Sequence, residues 1–150
     1  MSNSYFSKSK RISGAKATIY GSELKRLART QNGKLETEFV VTKARSEVSP
    51  LHDAFEWDDA AAAHQHRLKQ ARTLIRDIVE VQIVPSPLGQ EERVIHQFYS
   101  VKENEEQFYV ELATAVATPD YTMQIIDKLL NKIRETTSLL ETFRDELSRR

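Results

Sequence analysis

Hydrophobic residues change their spacing along the chain, and these changes predict the order of helices and strands. In the middle of the chain, apolar side chains recur at intervals of three and four, which is typical of one buried helix face. We predict a helix over 58–79 there. The segments 93–101 and 107–115 are β-branched and aromatic on either side of a polar turn, so they predict a β-hairpin, to which 80–84 could add a third strand.

The clearest pattern lies at the C-terminal end. Thr118 followed by Pro119 is typical of a helix start, and neither glycine nor a further proline follows. Apolar residues then keep heptad spacing at Ile126, Leu129, Ile133, Leu140, Phe143 and Leu147. The pattern predicts one long helix with a single apolar seam, which packs either on its own domain or on another copy of the chain.

The N-terminal third gives weaker signals. Residues 1–20 are rich in Ser, Lys and Gly and lack a helical period, which predicts a flexible basic arm. Ser22 is predicted to cap a short helix over 23–30 that the following Asn-Gly pair ends. Thr37 is predicted to cap a second short helix that runs to Arg45.

These elements predict an α+β fold that is mainly helical, with short helices and a small antiparallel sheet packed with the long C-terminal helix. The predicted divisions are a basic arm (1–20), a core domain (21–118) and the C-terminal helix (119–150). A chain of 150 residues suits one domain with a real core. No apolar run approaches the roughly 18 residues of a membrane span, and the N-terminus lacks the apolar stretch of a secretory signal, so we expect an intracellular location and no membrane partner.

The net charge of zero conceals an uneven distribution. Residues 1–45 carry ten Lys or Arg against three Glu, a balance of +7, and residues 46–150 carry the compensating −7. Such asymmetry indicates either an anionic partner or a basic segment that docks on the chain's own acidic part. Both alternatives stay open at this point.

Non-specific binding to double-stranded DNA is the leading form of the first alternative. Aromatic residues are interleaved with the N-terminal bases, a mixture that can contact phosphates and stack on bases. The candidate DNA-binding residues are Lys8, Lys10, Arg11, Lys16, Lys25, Arg26 and Arg29, extended by Lys69, Arg72 and Arg76 if that helix face lies beside the arm. About five phosphate contacts would make affinity fall several-hundred-fold for a fourfold rise in salt.

The stretch between Ser49 and Arg76 is the one candidate for catalytic or metal chemistry. It contains the possible ligands His52, Asp53, Glu56, Asp58, Asp59, His64 and His66. On a helix, however, His64 and His66 point to different faces, because ligand pairs need a spacing of three or four. The chain has no HExxH, phosphate loop, dinucleotide fingerprint, nucleophile elbow or cysteine. We therefore predict no metal site, no cofactor and no catalytic residue, and keep a metal-dependent enzyme as the least favoured alternative.

Aromatic residues give the candidate protein-binding surface. Each neighbouring pair in the predicted hairpin places one ring on either face, so one face is expected in the core and the other exposed or covered by a partner. The candidate partner-binding residues are Phe98, Tyr99, Phe108 and Tyr109, with Ile126, Leu129, Ile133, Leu140 and Phe143 of the helix seam. Phe55 and Trp57 are expected to be buried in the core between helices.

The segment 49–76, SPLHDAFEWDDAAAAHQHRLKQARTLIR, resembles a stretch in small phage- and prophage-encoded proteins. Those carry an SPLHxxFEWDD-like sequence followed by an alanine-containing helix with an RLxQARxLIR-like run. The resemblance implies a viral or prophage origin, hence a host-cytoplasmic or virion-associated location, and assigns no catalytic role to Trp57, Asp58 or Asp59. The leading hypothesis is a non-catalytic, oligomeric, phage-type DNA-associated protein. The alternative is an assembly factor, a virion component or an inhibitor of a host protein, that uses the aromatic hairpin and the C-terminal helix.

Overall fold

The computed structural model describes residues 4–57 and 63–149, and the fold is α+β as predicted. The helices are α1 (Gly14–Thr30), α2 (Thr37–Ala44), α3 (Ala63–Asp77), α4 (Leu112–Ala117) and α5 (Pro119–Ser148), with a short 3-10 helix at His52–Ala54. The strands are β1 (Phe6–Ser7), β2 (Lys34–Leu35), β3 (Ile78–Ser86), β4 (Gly89–His96), β5 (Phe98–Glu103) and β6 (Glu106–Glu111).

The strands form two small antiparallel sheets, ordered β1-β3-β4 and β2-β6-β5. Ser86 pairs with Gly89, so Pro87 and Leu88 form the turn of the β3–β4 hairpin. Asn104 and Glu105 both have positive φ, 49° and 66°, and they close the β5–β6 hairpin. Two successive positive φ values match the right-handed twist of paired strands.

The predicted hairpin of 93–101 and 107–115 is only half correct. β5 and β6 do pair, but residues 93–96 belong to β4 and pair with β3 in the other sheet. Gln97 separates the two strands: it is 2% exposed, and its carbonyl accepts a hydrogen bond from Leu112 N at 2.9 Å. Residues 112–115 are helical in α4, because the chain leaves the sheet directly after Glu111.

The prediction that residues 1–20 form an arm without regular structure is wrong for residues 4–20, the part that the structure describes. Its second half forms the first turns of α1, which Ser13 caps by accepting a hydrogen bond from Lys16 N at 3.4 Å. Ser22, the predicted cap, lies inside this helix. Tyr5 is 4% exposed because its ring packs on Gly21, where an added Cβ would lie 2.5 Å from the ring. The N-terminal segment is therefore part of the core.

The other two predicted helices are confirmed with changed ends. α2 covers the predicted residues, but Glu36 precedes it without a capping side-chain hydrogen bond, so Thr37 is not its cap. α3 ends at Asp77 instead of residue 79, because Ile78 already pairs in β3. The predicted start of that helix, at 58–62, lies outside the described residues.

Two hydrophobic clusters form the core, and the β5–β6 hairpin lies between them. Phe98 and Tyr109 are buried in the larger cluster with α1, α2 and α3. Phe108 is buried in the smaller cluster with Tyr121, and Tyr99 packs against that cluster. The prediction that one aromatic face of the hairpin is exposed or covered by a partner is therefore wrong, because the chain covers both faces itself.

The first three turns of α5 hold the helix to the body of the protein. The Tyr121 hydroxyl donates a hydrogen bond to Glu103 at 2.9 Å, and its ring meets the edge of Phe108. The Gln124 side chain bonds both the N–H and the carbonyl of Lys102, each at 2.8 Å. Lys128 Nζ donates to the Ser100 carbonyl at 2.7 Å. The predicted long helix from 119 is confirmed, and these contacts fix the direction in which it leaves the body.

Candidate functional site

An exposed apolar stripe on α5, which we call the α5 face, is the first candidate site. Every described residue from Ile126 to Arg149 is exposed. The α5 face consists of Met123, Ile126, Leu129, Leu130, Ile133, Leu139, Leu140, Phe143 and Leu147, whose exposed fractions range from 43% to 71%. It contains all five seam residues predicted as partner-binding.

The free part of α5 has no support from the rest of the described chain. Residues 129–149 span about 30 Å at 1.5 Å per residue. Their side-chain hydrogen bonds stay within the helix, as for Arg134 with Asn131 and Arg149 with Glu146. An unsupported helix of this length is only marginally stable in water, and most helical stability in proteins comes from packing an apolar face. The geometry of the α5 face therefore suits contact with another helix.

Thr136 is the polar residue in this seam, and it can be buried at little cost. Its hydroxyl donates to the Lys132 carbonyl at 2.8 Å, so the hydrogen bond is made inside the helix. A hydroxyl satisfied in this way does not need water. The α5 face thus continues across Thr136 without a break.

A cleft of about 710 Å³ between the start of α1 and α3 is the second candidate, which we call the basic cleft. Arg11, Lys16 and Lys69 line it with His66, above an apolar floor that includes Ile12 and Leu74. The loop before α1 supplies Arg11, and the first turn of α1 supplies Lys16. Three predicted DNA-binding residues, two from the N-terminal segment and one from α3, therefore line the same cleft.

Two carboxylates also line the basic cleft, but both are engaged within the chain. Asp53 accepts hydrogen bonds from Lys16 Nζ and the Tyr20 hydroxyl, each at 2.8 Å. The bond from Lys16 holds the pKa of Asp53 below its ordinary 3.8, with a further contribution from Tyr20. Asp77 is buried and accepts from Ser9 N at 2.5 Å and from the Ser9 and Ser7 hydroxyls. Arg11 and Lys69 make no ion pair with any residue among 4–57 and 63–149.

The remaining predicted DNA-binding residues lie on several surfaces. Arg72 and Arg76 are exposed and follow Lys69 on the same side of α3, because they lie three and seven residues after it. Lys8 and Lys10 line a separate concavity of about 430 Å³ beside β1 and β3. The others lie in the second half of α1: Lys25 sits 5.4 Å from the centre of the Tyr5 ring, Arg26 pairs with Glu23 at 2.7 Å, and Arg29 is exposed in the last turn.

Sequence reasoning missed the residues that hold the cleft together. Asp77 joins the loop at Ser7 and Ser9 to the end of α3, across about 70 residues of sequence. The one signal for it was an acidic residue at the end of a basic helix, where a negative charge is unfavourable for the helix dipole and so needs partners. His66 and Thr73 also line the cleft, on the α3 side that carries Lys69.

The side chains considered as metal ligands are dispersed over separate contacts. His52 Nδ1 lies 3.0 Å from the Ala44 carbonyl, His64 lies 3.2 Å from Glu38, and His66 lies 3.9 Å from Glu56. Asp58 and Asp59 lie outside the described residues. Within the described ranges, no three His, Asp or Glu side chains are grouped as metal ligands are.

Trp57 lies before α3 in the chain, and its described contacts are with the rest of the protein. Its Nε1 donates to the His52 carbonyl at 2.9 Å, and its ring stacks on the His52 ring at 5.1 Å. Arg45 and Arg67 approach the Trp57 ring at 5.5 and 5.3 Å. The segment leading to Trp57 therefore packs between α2 and α3, as predicted for Phe55 and Trp57.

No protein-family model, curated protein sequence or solved structure matches the chain. In the part of the chain that the structure describes, no helix is long and apolar enough to cross a membrane.

Proposed function

We propose that the protein is a non-catalytic, self-assembling protein whose chains are joined through the α5 face. The observation that carries the proposal is the exposure, between 43% and 71%, of nine apolar side chains on one face of one helix. Monomers rarely leave a contiguous apolar surface of this kind uncovered, and such surfaces mark protein interfaces.

The test compares the size in solution of the native chain with that of Phe143→Glu. Phe143 is 66% exposed and far along the helix from the body, so the substitution should leave the body folded. A glutamate buried in an apolar seam is unfavourable, so assembly should be lost. The measurement is sedimentation velocity over a range of protein concentrations.

Ser138→Glu is the matched control, because Ser138 is exposed on the side of α5 opposite the seam. We expect the native chain and Ser138→Glu to sediment as oligomers and Phe143→Glu to sediment as a monomer. A native chain that stays monomeric at every concentration would contradict the proposal.

A second candidate function, non-specific binding of double-stranded DNA, is supported by one specific observation. Arg11, Lys16 and Lys69 line one cleft, and Arg72 and Arg76 extend its positive charge along α3. Lysine and arginine that contact phosphates release counterions, so such binding weakens steeply with salt. The proposal concerns this surface alone, because the other N-terminal bases lie elsewhere.

Charge variants test this function better than removal of residues 1–20, which would take Tyr5 and Tyr20 out of the core. The variant Lys69→Glu with Arg76→Glu should weaken binding of a random-sequence duplex. The slope of log affinity against log salt concentration should fall by the amount expected for about two phosphate contacts. Lys25→Glu with Arg29→Glu is the matched control on the far half of α1, and it leaves the pair of Arg26 with the buried Glu23 intact. Fluorescence anisotropy at two salt concentrations is the measurement, and equal binding by both variants would contradict a role for the basic cleft.

A further inference from the structure

We infer that the occupant of the α5 face is the α5 helix of a second copy, running antiparallel and centred on Ser138. This inference rests on the proposed self-assembly and adds the partner, the direction and the register. Three features of α5 carry it: the matching of its apolar layers, the position of two opposite charges, and the point at which the helix leaves its body.

The apolar layers of the free part of α5 match when this part lies antiparallel to its copy about its own centre. Two antiparallel helices place residues opposite one another when their numbers have a constant sum. With Ser138 at the centre, Leu129 lies opposite Leu147, and Ile133 lies opposite Phe143 of the second copy. Thr136 lies opposite Leu140, and its hydroxyl is already bonded within its own helix. Each seam position from Leu129 to Leu147 is thereby paired.

Charge complementarity distinguishes this arrangement from a parallel one. Lys132 and Glu146 flank the seam on the same side, six residues before and eight after the centre. In the antiparallel arrangement, the residues that directly precede Ile133 and Leu147 lie along the same edge of the seam. Lys132 of one copy therefore faces Glu146 of the other, and this pair occurs twice per dimer. In a parallel pair Lys132 would meet Thr137, Leu139 would meet Arg144, and no opposite charges would face each other. Lys132 and Glu146 are both exposed, and the pair that Glu146 makes with Arg149 at the helix end is itself exposed to solvent.

The same register also leaves room for the body of each chain. The second copy's helix would end level with residue 127 of the first. The last hydrogen bond from α5 to its own body is that of Lys128 with Ser100. The helix of the second copy therefore covers the free part of α5 and stops where the body begins.

The apolar content of the α5 face also favours a pair. In this register the seven large apolar side chains of the α5 face from Leu129 to Leu147, each at least 43% exposed in the single chain, are covered in both copies. A second copy is the partner that carries the same stripe, at the same length and with the complementary charges.

The first experiment uses single substitutions in the full chain and measures the dimer dissociation constant by sedimentation. Lys132→Glu and Glu146→Lys should each weaken the dimer on the order of tenfold, because two attractive pairs become repulsive. The combination of both substitutions should restore it. Arg134→Glu, on the outer side of the helix, is the control and should have little effect. Failure of the combined variant to recover would overturn the register.

The second experiment uses the absence of cysteine from the chain, which allows one spin label at a chosen position. Labels at Ser138→Cys lie at the same height on both helices in either direction. Labels at Asp145→Cys would be offset along the axis by about 21 Å in the antiparallel pair and not at all in a parallel one. A longer label distance at Asp145 than at Ser138 is the expected result.

The outcomes separate the two proposals. An oligomer with equal label distances, or with the mass of a trimer or tetramer, would overturn the antiparallel pair and leave self-assembly intact. A monomeric native chain would overturn both. A native dimer with unequal distances and rescue by the combined charge variant supports both.

Discussion

At Gly33, the addition of a single methyl group is expected to destabilise the fold strongly. Gly33 has φ of +81°, follows the end of α1, and its carbonyl accepts a hydrogen bond from Glu111 N at 3.2 Å. An added Cβ would collide with the Thr114 side chain of α4. Gly33→Ala combines a strained backbone with overpacking, so we expect the free energy of unfolding to fall by about 2–4 kcal/mol.

Gly14→Ala is the control for this prediction, and urea unfolding is the measurement. Gly14 begins α1, and an added Cβ there meets nothing within 4 Å. Alanine at such a position is expected to stabilise by about 0.4–1 kcal/mol by restricting the unfolded chain. Equal stability of the two variants would show that the turn between α1 and β2 adapts freely.

Asp53 gives a prediction about pH. Its folded-state pKa is lowered chiefly by the hydrogen bond from Lys16, so its contribution to stability is present above its unfolded pKa, near 3.8, and is lost as the pH falls through the lower folded value. Lys16→Met should move the pKa of Asp53 upwards towards 3.8, and Lys69→Met, across the same cleft, should not. NMR titration of the Asp53 carboxyl measures both. An unchanged pKa in Lys16→Met would mean that the ion pair does not persist in solution.

Among the elements, α5 depends on its first turns for attachment. Tyr121 is 6% exposed and packs its ring edge-on against Phe108. We expect Tyr121→Ala to lower the free energy of unfolding by about 3 kcal/mol, because a large buried ring is lost and a cavity remains. Met123→Ala, two residues further and 58% exposed, should have little effect on the urea unfolding of the body. A small loss in Tyr121→Ala would mean that the polar contacts of Gln124 and Lys128 suffice.

The elements that were predictable are those with a repeated local pattern. The heptads of α5 and the spacing in α3 specify helices regardless of what they pack against. The start of α1 was missed although Ala17, Tyr20 and Leu24 have helical spacing, since Gly14 and Gly21 reduce helix propensity. Gly21 is accommodated because Tyr5 packs on it, and that contact has no signature in local sequence.

The division of residues 93–101 between two strands also depends on a contact that local sequence does not reveal. These residues all favour β-structure, yet the chain passes from one sheet to the other at Gln97, whose carbonyl accepts a hydrogen bond from Leu112 N. The two candidate sites differ in the same way. The α5 face was predictable from periodicity, whereas the basic cleft depends on Asp77 holding the loop at Ser9, a contact made across 68 residues.

At the scale of the whole molecule, the antiparallel pair would separate the two bodies along the helix axis. Tyr121 of one copy and Tyr121 of the other would lie about 51 Å apart along that axis, from 34 residues at 1.5 Å each. The two bodies, each with its own basic cleft, would then lie at opposite ends of the dimer. A duplex of more than about 15 base pairs, at 3.4 Å per pair, could reach from one end to the other.

This geometry predicts a length-dependent affinity for DNA, if both proposed functions hold. Phe143→Glu leaves the basic cleft unchanged but separates the copies, so it should weaken binding of a long duplex by roughly tenfold or more through loss of the second attachment. Binding of a duplex too short to span the two bodies should change little. Anisotropy titrations with the two lengths, for the native chain and with Ser138→Glu as control, measure the difference. Equal loss at both lengths would mean that the interface itself contacts DNA, and no loss at either length would mean that each cleft binds its own duplex.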